Sequence, residues 1–131
     1  PSVAPLKEKY RISDRYGYRT HPISGERQFH AGLDMAAVYA ATVHAAASGT
    51  VTFAGETPGY GKTVVVTHRF GFQTRYAHLT LIYTRKGAKV EKGDVIGFVG
   101  STGISTGNHL HYEVIKNQKR INPLNFIYGT K

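Results

Sequence analysis

From about residue 36 onward the chain alternates between glycine turns and short runs of β-branched and aromatic residues. This punctuation leaves room for strands and little else. Ser48-Gly49-Thr50-Val51-Thr52-Phe53-Ala54-Gly55 alternates in polarity like a half-buried strand closed at both ends by glycine. Pro58-Gly59-Tyr60-Gly61 reads as a turn, residues 62–68 carry the β-branched run Val64-Val65-Val66, and Phe70-Gly71 turns the chain into a hairpin partner over 72–78. Residues 79–83 read as a helical turn or a loop. A short segment centres on Val90, 95–100 is a strand, 101–107 a Ser/Thr/Gly-rich loop and 108–116 a strand. Asn122-Pro123 starts a closing tail. The 15 glycines and 9 tyrosines of the 131 residues agree with strands and tight turns. The expected fold is all-β: a compact antiparallel sheet, barrel or sandwich, with long surface loops.

Residues 1–29 are polar and broken by Pro5, Gly17, Pro22 and Gly25, so they read as loop with short extended pieces. No exact repeat or linker divides the chain. One domain is expected over 16–131, with 1–15 as an N-terminal extension or linker.

Seventeen Lys and Arg against eight Asp and Glu give a net charge of +9 with neutral histidines. Such a surplus serves solubility or an anionic partner. The basic residues are scattered, so a nucleic acid is not the expected partner. The chain has no cysteine, which excludes disulfides and thiolate metal sites; a metal here must sit on histidine and carboxylate ligands. No apolar run approaches the roughly 20 residues that span a bilayer, and no signal-peptide pattern opens the chain. The first residue is Pro1, so a processed or excised domain is expected, with any membrane anchor upstream.

Three features can carry chemistry. In His109-Leu110-His111, strand alternation puts His109, His111 and Glu113 on one side and Leu110, Tyr112 and Val114 on the other. Two adjacent imidazoles suit a metal, or a ligand plus a proton-transfer group; alone they also fit two surface histidines. In His30-Ala31-Gly32-Leu33-Asp34, an imidazole and a carboxylate converge from a bent loop-to-strand segment, or pair by accident. Tyr76-Ala77-His78-Leu79 puts a histidine at the end of an expected strand, where a functional or a merely satisfied ring would sit. Together they supply a His, Asp and His set for zinc, with further imidazoles for acid–base work.

The combination of His30-x-x-x-Asp34 with His109-Leu110-His111 resembles the LytM/lysostaphin-type metallopeptidases, peptidase family M23. Supporting matches are Gly17-Tyr18-Arg19-Thr20-His21-Pro22, Gly32-Leu33-Asp34-Met35-Ala36, residues 43–51, Gly59-Tyr60-Gly61, and Thr74-Arg75-Tyr76-Ala77-His78-Leu79. Most diagnostic is the stretch from Gly97 to Glu113. The likeness covers roughly residues 16–127. It implies a compact antiparallel domain with one Zn2+ in an open groove, held by His30, Asp34 and His111. It also implies catalytic roles for His78 and His109, without deciding which takes the proton from water. Arg19 and Tyr60 are candidate substrate contacts. Tyr76 and Glu113 are candidates for packing or for supporting the ligands. His21, His44 and His68 are left as structural or surface groups.

The implied activity is zinc-dependent endopeptidase cleavage of peptide cross-links or bridges in bacterial peptidoglycan, outside the cytoplasm, in the periplasm or cell wall. The implied partners are stem peptides or bridges. The alternative is a catalytically silent domain of the same fold that binds or activates another wall hydrolase. Degenerate domains usually lack ligands, and here all are present.

Overall fold

The computed structural model describes residues 3–20 and 23–127. His21 and Pro22 therefore lie outside the described residues. The described chain forms strands β1 Tyr10–Asp14, β2 Gly17–Thr20, β3 Arg27–His30, β4 Leu33–Ala37, β5 Thr42–His44 and β6 Gly49–Thr57. These are followed by β7 Gly61–Thr67, β8 Phe72–Ile82, β9 Lys89–Val90, β10 Val95–Val99, β11 His109–Lys116 and β12 Lys119–Ile121. A single turn of helix, α1 Leu124–Ile127, comes last.

The main sheet runs β1-β4-β11-β8-β7-β6-β9, with β12 on β11 and with β10 joining β5 to β8. Among the described residues every pairing is antiparallel, whether the strands are joined by a tight hairpin, as β6–β7 and β7–β8 are, or lie far apart in the chain, as β4 and β11 do. β2 and β3 form a separate two-stranded ribbon.

Alternation sorts the sheet into a packed face and an open face. On β11, Leu110, Tyr112 and Val114 are fully buried, joined by Val64 and Val66 of β7, Tyr76 of β8 and Leu33 and Met35 of β4. Each fully buried aliphatic side chain of this kind contributes about 1.5–3 kcal/mol. The Tyr76 and Tyr112 rings meet at 5.4 Å, and the Tyr76 hydroxyl is satisfied internally, accepting from the Ala46 amide at 3.0 Å. The opposite face of the same strands carries the histidines.

Three local expectations change once cross-strand partners are known. Residues 79–82 are strand, because Leu79 pairs with Val99 and Leu81 with Phe98, and Leu79 is fully buried. The tail after residue 122 is a short helix. The Asn122 side chain accepts the Leu124 amide at 3.1 Å, and Pro123 begins the turn with its fixed φ. The segment expected as an extension is tied into the fold: Leu6 is in the core and β1 pairs with β4.

Candidate metal centre

Asp34 on β4 lies directly opposite His111 on β11, so the sheet register alone brings them together across 77 residues. The turn between β3 and β4 delivers His30 to the same place. That turn crosses β11 so closely that a Cβ on Gly32 would sit 2.7 Å from the Tyr112 carbonyl and 2.8 Å from His111 Cε1. Only glycine fits there. The resulting distances are 2.7 Å from His111 Nδ1 to Asp34 Oδ1 and 3.4 Å from His30 Nε2 to Asp34 Oδ2. One donor atom from each of the three residues lies within 4.8 Å of the others.

Two more rings face this cluster. His109 Nε2 is 3.8 Å from Asp34 Oδ1, and the His78 ring stands 4.8 Å from that of His109 and 6.0 Å from that of His111. His78 lies within β8 at a bulge: Lys62 pairs with Leu79 but Val64 with Tyr76, so β8 carries one extra residue. Its φ of 63° is uncommon for a residue with a side chain and turns the ring toward the open face. The ring is pinned by Nδ1, which donates to the Thr102 carbonyl at 2.7 Å. The loop bearing Thr102 presses on Gly61 (φ 70°), where a Cβ would meet the Thr102 backbone at 2.4 Å.

Each ring nitrogen turned away from the centre has its own acceptor. His30 Nδ1 donates to the Arg15 carbonyl at 2.9 Å, and His109 Nδ1 to the Gly107 carbonyl at 2.9 Å. His111 Nε2 donates to Glu113 Oε2 at 2.8 Å. Such bonds fix the tautomer, leaving the opposite nitrogen for the metal or a proton. Glu113 is fully buried and also accepts the Tyr60 hydroxyl at 2.8 Å, Arg120 Nε at 3.1 Å and Arg75 Nη1 at 3.4 Å.

The electrostatics follow. Burial opposes charge at His111, but the hydrogen bonds to Asp34 and Glu113 outweigh it and raise the ring to about 9. Burial would raise Asp34 as well, yet His111 and His30 hold it well below the usual carboxylate range. Glu113 is held at about 2 against its burial by His111, Tyr60 and Arg120. His78 goes the other way: burial lowers it, the Thr102 carbonyl only partly compensates, and His109 and His111 add repulsion. His78 is thus a neutral ring at neutral pH.

Two imidazole nitrogens and one carboxylate oxygen, all hard or borderline donors, fit zinc, whose arms of about 2.0–2.1 Å place neighbouring ligands roughly 3.4 Å apart. The 3.4 Å between His30 Nε2 and Asp34 Oδ2 is that spacing, and the 2.7 Å between His111 Nδ1 and Asp34 Oδ1 is a hydrogen bond that a shared cation would replace. The structure thus brings five predicted residues, His30, Asp34, His78, His109 and His111, to one point. Tyr60 stands at its edge, with its ring 5.6 Å from that of His111 and its hydroxyl spent on Glu113. Arg19 is further out on β2, paired with Asp14; β-ribbon alternation puts it on the same side as His30. Tyr76 is core. His44 and His68 are apart from the cluster, each ring bonded at both nitrogens. Arg75 and Arg120 were not singled out from sequence as part of the site. Alternation signals the face on which Glu113 lies, but its two arginine partners depend on the register of three strands.

Residues 28–123 match peptidase family M23. Over 120 residues the chain is 48% identical to the DD-carboxypeptidase/endopeptidase Mpg of Neisseria meningitidis, covering 92% of this chain and 28% of that protein. It is 37% identical over 121 residues to the peptidoglycan DD-endopeptidase ShyA of Vibrio cholerae, again covering 92% and 28%. A zinc-containing peptidase from Vibrio cholerae has the same fold, with a TM-score of 0.84 at 31% identity, over 99% of this chain and 39% of that one. The chain spans 28% of the length of the two curated relatives it matches here. With the fold, the donor set and the sequence in agreement, the chain belongs to peptidase family M23.

Proposed function

We propose that this chain is the catalytic domain of a zinc-dependent endopeptidase that hydrolyses peptide cross-links of bacterial peptidoglycan. One observation carries the reading: donor atoms of His30, Asp34 and His111 lie within 4.8 Å of one another, and the rings of His78 and His109 stand beside them. The name of ShyA supplies the substrate class, and that of Mpg the endopeptidase activity. Peptidoglycan lies outside the cytoplasmic membrane, so the site of action is extracytoplasmic. Among the described residues no helix is long and apolar enough to cross a membrane.

The three ligands divide their work by geometry. Asp34 brings negative charge between two imidazoles, and the Arg15 carbonyl and Glu113 orient the two rings through their outer nitrogens. Bound zinc supplies Lewis acidity, polarising the substrate carbonyl and acidifying water. His78 and His109 each donate from Nδ1 to a backbone carbonyl, which leaves Nε2 of each ring as the atom that can take or give a proton. One accepts the proton of the attacking water and returns it to the leaving amine. The other, carrying on Nε2 a proton taken from solvent, hydrogen-bonds to the developing oxyanion and keeps that proton through the cycle. The scaffold under them is sheet and not loop, so this geometry is set before substrate arrives.

The test is digestion of purified peptidoglycan by the purified chain carrying one equivalent of zinc, with products read by mass spectrometry. Cross-linked dimers should fall to monomers, chelation should stop the reaction and zinc should restore it. Intact dimers after prolonged digestion by the zinc-loaded chain would end the hydrolase reading in favour of a silent binding domain.

A further inference from the structure

The open face of the sheet does not end at the histidines. Cross-strand register carries it onward from His111 to Glu113, then across to Arg75 of β8 and Val65 of β7, and on to Phe53 of β6. Above this floor lies a groove of about 320 Å³ lined by Phe53, Thr63, Val65, Gln73 and Arg75.

The charges on this floor do not balance. Glu113 receives two donors on each oxygen: His111 and Tyr60 on Oε2, Arg120 and Arg75 on Oε1. That saturates a carboxylate. Two guanidiniums therefore share one fully engaged acid, which leaves one positive charge beside the metal ligands. Arg75 holds the weaker share. Its bond to Glu113 is long at 3.4 Å, it lies over the Tyr60 ring at 4.8 Å, and its Nε is buried without a partner. The Arg75 side chain is nonetheless 23% exposed, and that of Arg120 38%. A planar cation with spare donors, half sunk in a groove, is matched by a carboxylate that arrives with the ligand.

We infer that the floor at Arg75 and Arg120 is a subsite for a free carboxylate on the substrate, close to the cleaved bond. Glu113 is two residues beyond His111, about 7 Å along the strand. An extended peptide advances at most about 3.3–3.6 Å per residue, so the carboxylate belongs to a residue within about two positions of the scissile carbonyl. The inference rests on the peptidoglycan reading and narrows it. The substrate is a cross-link whose neighbouring residue keeps an ionised carboxyl group, not an uncharged glycine bridge.

The experiment compares two purified cross-linked dimers that differ only in whether the carboxyl group nearest the cleaved bond is free or amidated. The zinc-loaded chain should prefer the free acid by about 10- to 100-fold in kcat/KM, as expected for a charge-assisted contact. Arg75→Gln and Arg120→Gln should each shrink that ratio, chiefly by raising KM for the free acid. The ratio cancels any general damage passed through Glu113, and two separate variants guard against one that fails to fold. Equal cleavage of both dimers by the unaltered chain would overturn the subsite while leaving the hydrolase reading intact. So would variants that slow both substrates alike and keep the full preference. Cleavage of neither dimer would overturn the hydrolase reading, and this inference with it.

Discussion

Six of the seven histidines lie among the described residues, and they fall into two groups by what holds their ring nitrogens. At the candidate metal centre, His30, His78 and His109 each spend Nδ1 on a backbone carbonyl, and Nε2 of His30 and of His109 lies 3.4 and 3.8 Å from Asp34. His111 is gripped by a carboxylate on each side. Away from it, His44 is bonded to the Gly93 carbonyl and the Thr42 hydroxyl, and His68 to the Ser48 carbonyl and the Thr74 hydroxyl. Those two rings cross-link strands and loops and have no nitrogen left over. Burial does not separate the groups, since His44, His78 and His111 are almost equally covered. The partners do. His30, His109 and His111 each turn one nitrogen to the shared carboxylate of Asp34, which a cation would also engage, whereas His44 and His68 are closed by neutral hydroxyl and carbonyl groups.

That contrast is broken most directly at His111. His111→Ala removes one of the three proposed ligands and leaves Asp34 and Glu113 without the ring they share. Zinc in the purified variant, read by elemental analysis, should be near zero, and cross-link cleavage should be abolished. A full equivalent of zinc in this variant would remove His111 from the ligand set.

His78→Ala should separate the two functions within the first group. The three ligands keep their contacts, so zinc stays at one equivalent, while turnover drops by about 10²–10⁴-fold, the usual contribution of a general acid–base group. The same measurements on His109→Ala show how the labour is divided. The variant that also loses the acid limb of the pH–rate profile has lost the base. Unchanged turnover in both would confine catalysis to the ligands.

A smaller effect is expected at Glu113, which touches no substrate in this scheme. Glu113→Gln keeps the shape but places an amide NH2 where donors already crowd. His111 then loses its orienting acceptor or the arginines lose theirs. Zinc affinity, measured by competition with a chromophoric chelator, should weaken by about 10–100-fold. The metal-free variant should also lose about 1–3 kcal/mol of stability for the buried group left poorly paired. Undiminished zinc affinity would make Glu113 a purely structural acid.

The sequence carried these distinctions unevenly. Strand periodicity sufficed to put His109, His111 and Glu113 on one face and Leu110, Tyr112 and Val114 in the core, because alternation is a local property. The same holds for the turn at Pro58-Gly59-Tyr60-Gly61 and the hairpin at Phe70-Gly71. Residues 79–82 were illegible, since what makes them strand is β10, some 17 residues further on. The β8 bulge that aims His78 was hidden for the same reason: a one-residue slip appears only when β7 and β8 are laid side by side. The association of Arg75, Arg120 and Glu113 needs the pairings of β8 and β12 with β11, which no local pattern encodes. The proposed ligand set was nameable only through the family resemblance, whereas His-x-x-x-Asp by itself is an ordinary spacing.

The smallest expected effect lies in the second group. Burial lowers the pKa of His68 below the ordinary 6.5, and the Ser48 carbonyl only partly offsets that. The folded state therefore keeps this ring neutral, while the unfolded chain takes up a proton as pH falls through about 6.5. Protons bound preferentially by the unfolded state lower stability, so the contribution of His68 is full above that pH and is lost on acidification toward its folded value. His68→Gln lacks this titration. At pH 8 it should be less stable by about 1–2 kcal/mol for two altered hydrogen bonds. The gap to the unaltered protein should narrow as pH falls from 7 to 5 in denaturant titrations. Zinc content and turnover should stay within twofold throughout. A gap that widens in acid would reverse the sign assigned to His68, and loss of zinc on the scale of His111→Ala would erase the division between the two sets of rings.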